Sequence, residues 1–405
     1  MTSKWEKCTL DKLVLLQRGH DLPLGKRGKG NIPVAGSNGV VGFHDKARGL
    51  VPGITIGRSG SIGNTHYFDS EYFPLNTTLY VIDFLGNHPK FVYYFFKKFD
   101  FSAFDSGSVQ PSLNRNFLYQ AIIDKPGIKE QKVIAHILGT LDAKIELNNK
   151  TNKTLEEISK TLFKSWFIDF DPVKAKSEGH TTGVSDDISD LFPDSFEDSE
   201  LGKIPNNWEI KSLDEIAIYL NGLALQKYPS KGNSNDLPVI KIAQLRKGNS
   251  EESDKCSSDI EEKYIIRDGD ILFSWSGSLL VDIWTGGFGA LNQHLFKVSS
   301  DIYKKWFILY WIKHHLQEFQ MIAKSKATTM GHIQRKHLSE AKVLVPPENL
   351  MTKINSIFED LLERQINARL ESKILLQIRQ TILPQLISGK LRITDAEKMI
   401  DKVGI

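Results

Sequence analysis

The sequence predicts a mixed α/β protein made of two related α+β domains, each followed by a long helix of coiled-coil type. The first observation is an internal repeat: Trp5-Glu6, Leu10 and Leu13 recur as Trp208-Glu209, Leu213 and Ile216, 203 positions later. The offset becomes 217 where Arg58-Ser59-Gly60-Ser61 meets Trp275-Ser276-Gly277-Ser278, and 220 from Leu113 and Ile333 onward. An insertion near Ser250 to Ile260 of the second copy accounts for the growth. The second observation is a proline-free stretch from Ile128 to Phe167 with apolar residues at 134, 138, 141, 145, 155, 158, 162 and 166, a spacing of threes and fours that makes a coiled-coil seam. Its counterpart carries Ile354, Phe358, Leu361, Leu375, Ile378 and Ile382. A duplicated module with paired helices is suited to reading something at two places.

Taken in order, residues 1–127 read as one α/β domain, with short β-type runs at 53–57 and 78–82 between glycine turns. The aromatic stretch from Phe91 to Phe99 reads as a core helix rather than a base-stacking platform. Pro126-Gly127 stops the domain, and residues 128–168 form the first spacer helix, about 60 Å long at 1.5 Å per residue. Residues 169–205 read as an acidic linker, 206–346 as the second domain, 347–390 as the second spacer helix and 391–405 as a C-terminal tail. Asn148, Asn152, Gln365 and Ser372 put polar groups on the seams, where they can fix register. A partner protein covering these helices is a further reading, with Leu141, Ile145, Trp166, Phe167, Leu361 and Leu386 as its candidate contacts.

Composition sets limits on function. The 405 residues fill at least two cores of ordinary size, and no apolar run nears the roughly 20 residues that span a bilayer. The N-terminus lacks the apolar core of a signal peptide, so a cytoplasmic location is expected. Cys8 and Cys256 have no metal-type spacing and are read as inert thiols. The net charge of +3 is unevenly spread: nine acidic residues lie between Asp171 and Glu200 against Lys174 and Lys176, leaving the rest at +10. A basic balance favours a polyanion. Against an enzyme, the chain has neither an Asn/Asp-Pro-Pro-Tyr segment nor a phosphate-binding G-x-x-x-x-G-K-[ST], which Gly25-Lys26-Arg27-Gly28-Lys29-Gly30 resembles only in composition. The acid-x-Lys triplets Asp142-Ala143-Lys144, on the coiled-coil helix, and Glu261-Glu262-Lys263, in the inserted segment, have no convincing second acid of nuclease type beside them, and His314-His315 fits a solvated helix face.

What the chain does assemble is basic and amide side chains on glycine-rich loops, suited to phosphates and to guanine and adenine edges. The first half offers Lys26, Arg27 and Lys29, then Arg58 and Ser59, then Gln110, Asn114 and Arg115. The second offers Lys241, Gln244, Arg246 and Lys247, then Trp275 and Ser276, then Thr328, Thr329, Gln334, Arg335 and Lys336. Their recurrence at equivalent places makes the group more telling than its members.

The chain resembles, over nearly its full length, the specificity subunit of type I restriction-modification enzymes. The segments that carry the resemblance are Gly57-Arg58-Ser59-Gly60-Ser61-Ile62-Gly63, Ser108-Val109-Gln110-Pro111-Ser112-Leu113-Asn114, Trp166-Phe167-Ile168-Asp169-Phe170-Asp171-Pro172-Val173, Leu201-Gly202-Lys203-Ile204-Pro205, Thr328-Thr329-Met330-Gly331-His332-Ile333 and Leu383-Pro384-Gln385-Leu386-Ile387-Ser388-Gly389-Lys390-Leu391. The resemblance implies two pseudo-twofold-related target-recognition domains separated by a long antiparallel two-helix coiled coil, each reading half of an interrupted DNA sequence. It implies two methyltransferase subunits that bind S-adenosylmethionine, restriction subunits that use ATP and Mg, and no cofactor or catalytic residue in this chain. Leu279-Leu280 replaces the Ile-Gly of the first copy, so the two domains are expected to present different loops. Two other classes remain open: a two-domain coiled-coil adaptor, and a single-chain restriction or modification enzyme that the missing motifs disfavour.

Overall fold

A computed structural model describes residues 5–106, 111–325 and 331–401. The chain divides into two compact units, Met1–Leu147 with Ser372–Ile405, and Asn148–Glu371. Both boundaries fall inside the long helices Ile128–Phe163 and Glu348–Ile387.

In the first unit an antiparallel sheet runs in the order Leu15–Arg18, Thr78–Asp83, Gly53–Gly57, Thr65–Phe68. The inner strand Gly53–Gly57 is buried throughout, which explains its unbroken apolar reading in place of a strict alternation. Ile32–Gly36 lies parallel to Phe73–Pro74 and antiparallel to Gly39–His44, and Glu6–Thr9 pairs with Ile122–Lys125. The helix Pro89–Lys98 begins with the proline that suits a first turn and buries Phe91, Val92 and Phe96. Their core includes Ile54, Ile56 and Val81 from the sheet, Leu138 and Leu141 from the first long helix, and Leu375, Ile382 and Leu386 from the second. The aromatic stretch is therefore core, as read from the sequence.

The second unit repeats this sheet as Ile218–Asn221, Leu295–Ser299, Ile271–Ser274, Val281–Ile283. Glu209–Ser212 pairs with Lys342–Val345 as its counterpart does, and Leu237–Ile240 lies parallel to Gly289–Leu291. The Leu10 amide donates to the Ala121 carbonyl at 3.0 Å, and the Leu213 amide to the Ala341 carbonyl at 3.0 Å. Gly19 and Gly222 match as well. A Cβ on either would stand 2.1 Å from the Leu75 oxygen or 2.2 Å from the Asn292 oxygen, a clash only glycine avoids. The second unit lengthens a hairpin: where Ile32–Gly36 turns directly into Gly39–His44, Leu237–Ile240 runs into the helix Ile242–Lys247 before Lys255–Cys256 pairs back on Leu237 and Pro238.

Three expectations need correction. Residues 169–205 are folded, with helices Asp171–Ser177 and Asp186–Ser189 and a hairpin of Phe196–Ser199 with Gly202–Pro205. Acidic composition concealed spaced apolar anchors: Val173, Ile188, Phe192 and Ile204 join the second unit's core, and Lys176 Nζ donates to the Phe192 carbonyl at 2.6 Å. The C-terminal tail likewise contains a helix, Ile393–Asp401, with Ala396 fully buried in the first unit's core. The seam also shifts by one residue in places. Ile158 and Leu361 are outside it, while Ser159 and Leu362 are buried. Ser159 is tolerated because its hydroxyl donates to the Leu155 carbonyl at 2.8 Å and accepts from Gln365 Nε2 at 3.4 Å. In the second unit Asn148 meets Glu371 and Trp166 meets Phe358, so the helices run antiparallel there.

Candidate nucleic-acid interface

In the first unit, strand Gly53–Gly57 delivers a tight loop at its C-terminal end. The Leu113 amide donates to the Arg58 carbonyl at 2.8 Å, and the Gly60 amide to the Pro111 carbonyl at 3.2 Å, pinning Ser59 opposite Ser112. Arg58 Nε donates to the Asn76 carbonyl at 3.2 Å, and Arg115 Nη1 to the Leu16 carbonyl at 3.2 Å. Asn114 caps the short helix Arg115–Leu118, accepting from the Asn116 amide at 3.0 Å. Arg18, Arg58 and Arg115 thereby converge with Asn114, Ser106 and Ser112 on an open cavity of about 350 Å³ lined, among the described residues, by no carboxylate. Burial, with the positive field of Arg18, pushes the Arg58 pKa down from its ordinary value. A guanidinium nonetheless stays charged at neutral pH. Arg18 also meets Asp21 at 3.7 Å, outside the cavity lining, so three guanidinium groups share at most one nearby acid, and phosphate geometry suits guanidinium groups best.

The second unit reproduces the backbone of this loop and changes its chemistry. The Ile333 amide donates to the Trp275 carbonyl at 3.0 Å, the Gly277 amide to the Gly331 carbonyl at 2.8 Å, and Ser276 lies opposite His332. Arg335 Nη2 donates to the Tyr219 carbonyl at 3.1 Å, as Arg115 does to Leu16, and its guanidinium sits over the Phe296 ring. Trp275, in the place of Arg58, donates from Nε1 to the Gln293 carbonyl at 3.2 Å and packs near Phe296 and His332. The cation cluster gives way to an aromatic one. Charge reappears nearby, where Arg246 and Lys324 line a cavity of about 420 Å³ with Ser278 and Gln320.

The remaining candidates sort by environment. Lys26 and Lys29 are exposed, Arg27 Nη1 donates to the Val41 carbonyl at 3.0 Å, and Gln334 and Lys336 are exposed at the start of the helix Arg335–Glu340. Lys241 pairs with Asp254 and Lys247 with Glu252. Gln244 and Ser276 are buried: the Gln244 side chain accepts from the Lys241 amide at 3.3 Å, and Ser276 Oγ meets His294 Nδ1 at 2.9 Å, so local capping and packing take up their polar groups. Gln110, Thr328 and Thr329 lie outside the described residues. The proposed partner contacts Leu141, Ile145, Trp166, Phe167 and Leu386 are buried in the chain's own cores, and only Leu361 is partly exposed. Their own domains cover these residues from positions distant in sequence, which the seam pattern alone does not show. Sequence reasoning missed Arg18 and Lys324, which sit at element ends beside Gly19 and shortly before Gly331. Cys8 is partly exposed and Cys256 buried; both are free, and burial pushes both thiols up.

Fold and site together define a duplicated α/β chain with loops built on one backbone plan and carrying different chemistry. The type I restriction modification DNA specificity domain matches residues 2–157 and 205–378, and the chain belongs to that family. It is 28% identical over 319 residues to the MjaIX specificity subunit of Methanocaldococcus jannaschii, covering 76% of this chain and 70% of that one. The HindI specificity subunit of Haemophilus influenzae is 25% identical over 335 residues, 69% of this chain and 71% of the relative. In fold, the crystal structure of the type I restriction-modification S subunit from M. genitalium matches with a TM-score of 0.64 at 18% identity, covering 94% and 96% of the two chains. Among the described residues no helix is long and apolar enough to cross a membrane.

Proposed function

We propose that this chain is the non-catalytic, sequence-specific DNA-binding subunit of a type I restriction-modification complex, and that each unit reads one half of an interrupted duplex sequence. Two modification subunits that bind S-adenosylmethionine and restriction subunits that use ATP and Mg dock on it, and the chain itself holds no cofactor. The observation that carries the reading is the cavity faced by Arg18, Arg58 and Arg115, an anion site at the loop which the second unit rebuilds with Trp275. Phosphate contacts set register on the duplex, and side chains around the loop discriminate bases. Two units that differ in loop chemistry select an asymmetric sequence.

The test is selection of bound sequences from a random duplex library by the purified full chain, at salt from about 50 to 200 mM. Two short motifs at a constant gap are expected, with log affinity falling linearly against log salt. Binding without sequence enrichment, or no binding, would overturn the proposal.

A further inference from the structure

We propose that the hairpin of Ile32–Gly36 and Gly39–His44 enters the DNA major groove and reads A·T pairs, with Val40, Val41 and Phe43 against thymine methyl groups and Asn38 with Asn64 at an adenine edge. The proposal rests on the DNA-binding reading above and adds which element reads and what it selects.

Val40, Val41 and Phe43 are 52%, 45% and 57% exposed, on the outer strand of a three-stranded sheet. An open strand edge bearing apolar side chains is a liability in water unless a partner covers it. The register slips between Pro33 and Ala35, where Val41 and Gly42 face the single residue Val34. Such a bulge bends and twists the ribbon. At its tip, Ser37 Oγ lies 2.8 Å from the carbonyls of both Ser59 and Thr77 and can donate its one proton to either, which ties the hairpin to the Arg58 loop. There Asn64 Nδ2 donates to Asn38 Oδ1 at 3.0 Å, and both residues are exposed, each with a second amide atom that this bond does not use.

Charge identifies the occupant. Arg27 lies along the hairpin through its bond to the Val41 carbonyl, Lys26 and Lys29 flank it, and the arginine cavity adjoins the same loop. A polyanion satisfies this surround, whereas an apolar peptide strand does not. A two-stranded ribbon fits the major groove, where thymine presents its methyl and adenine a donor-acceptor pair that an amide matches. In the second unit the helix Ile242–Lys247 interrupts the corresponding ribbon, whose outer strand is only the two residues Lys255–Cys256, and its Lys241 and Lys247 are paired with acids.

The test uses the full chain and the duplex it selects, with each thymine replaced in turn by uracil, a change that removes only the methyl group. Affinity should fall about fourfold per contacted methyl, at positions confined to one half-site. The triple variant Val40→Ala/Val41→Ala/Phe43→Ala should lose that sensitivity and its preference in that half-site, while its salt slope and the other half-site persist. Uracil without effect, or a triple variant that selects the wild-type sequence, overturns the ribbon assignment and leaves the DNA reading standing. A wild-type chain that binds no duplex overturns both.

Discussion

At one backbone position the first unit places Arg58 and the second Trp275. Both residues accept the same amide hydrogen bond from a strand-like segment, and both units keep an arginine 57 or 60 residues on, anchored to an equivalent carbonyl. The frame is held by backbone bonds that any residue can make, so the side chain is free to change. Duplication therefore yields two loops with the same geometry and different ligands. The contrast extends to charge: the first unit leaves Lys26, Arg27 and Lys29 open toward solvent or a carbonyl, while the second pairs Lys241 and Lys247 with the acids of its insertion.

The strongest test of the shared frame is Gly19→Ala beside Gly222→Ala. Each Cβ would fall on a backbone carbonyl, which cannot move aside as a side chain can. A loss of about 2–3 kcal/mol is expected in both variants, measured by urea unfolding. A silent Gly19→Ala with a damaging Gly222→Ala would break the equivalence.

The contrast in ligands is tested by Arg58→Ala against Trp275→Phe. Removing Arg58 should weaken duplex binding about tenfold on all sequences and flatten the salt dependence by about 0.9 per lost phosphate contact. Trp275→Phe should leave the slope unaltered, because no charge is lost there. Equal slopes in both variants would show that the arginine cavity holds no phosphate.

The repeat, the α/β class and both long helices were legible because they rest on periodicity and on residue matches that survive across 200 positions. The folded state of 169–205 was not. Its anchors Val173, Ile188, Phe192 and Ile204 are irregularly spaced among acids, and their partners come from elements such as Trp208 and Phe358. Site residues were half legible for a similar reason. Arg58 and Arg115 stand on glycine turns or helix starts that the sequence marks, but Arg18 reaches their cavity only through strand pairing of Leu15–Arg18 with Thr78–Asp83. Gln244 and Ser276 have suitable chemistry, and nothing local shows that they are buried.

Both units also tie the helix of the α/β domain to the first long helix through a carboxylate, which gives a pair of smaller effects. In the first unit Tyr94 donates to Asp142 Oδ2 at 2.7 Å, and Asp142 also meets Arg379. Tyr94→Phe should cost about 1 kcal/mol, since Asp142 keeps its guanidinium partner. In the second unit Lys313 Nζ donates to Glu156 Oε1 at 2.6 Å. Burial raises the Glu156 pKa, but the attraction and hydrogen bond of Lys313 outweigh it and leave the value below the ordinary 4.5. A depressed carboxylate adds stability that is present above the unfolded pKa and lost as pH falls through the folded one. Glu156→Gln should thus cost about 0.5 kcal/mol at neutral pH, a small amount because both groups are partly in water. The cost should fade below about pH 4, while the Tyr94→Phe cost, which removes a neutral donor, should fade less. Urea unfolding of both variants between pH 3.5 and 7 measures the difference, and a Glu156→Gln cost that does not change with pH would show that packing, not charge, makes the second tie.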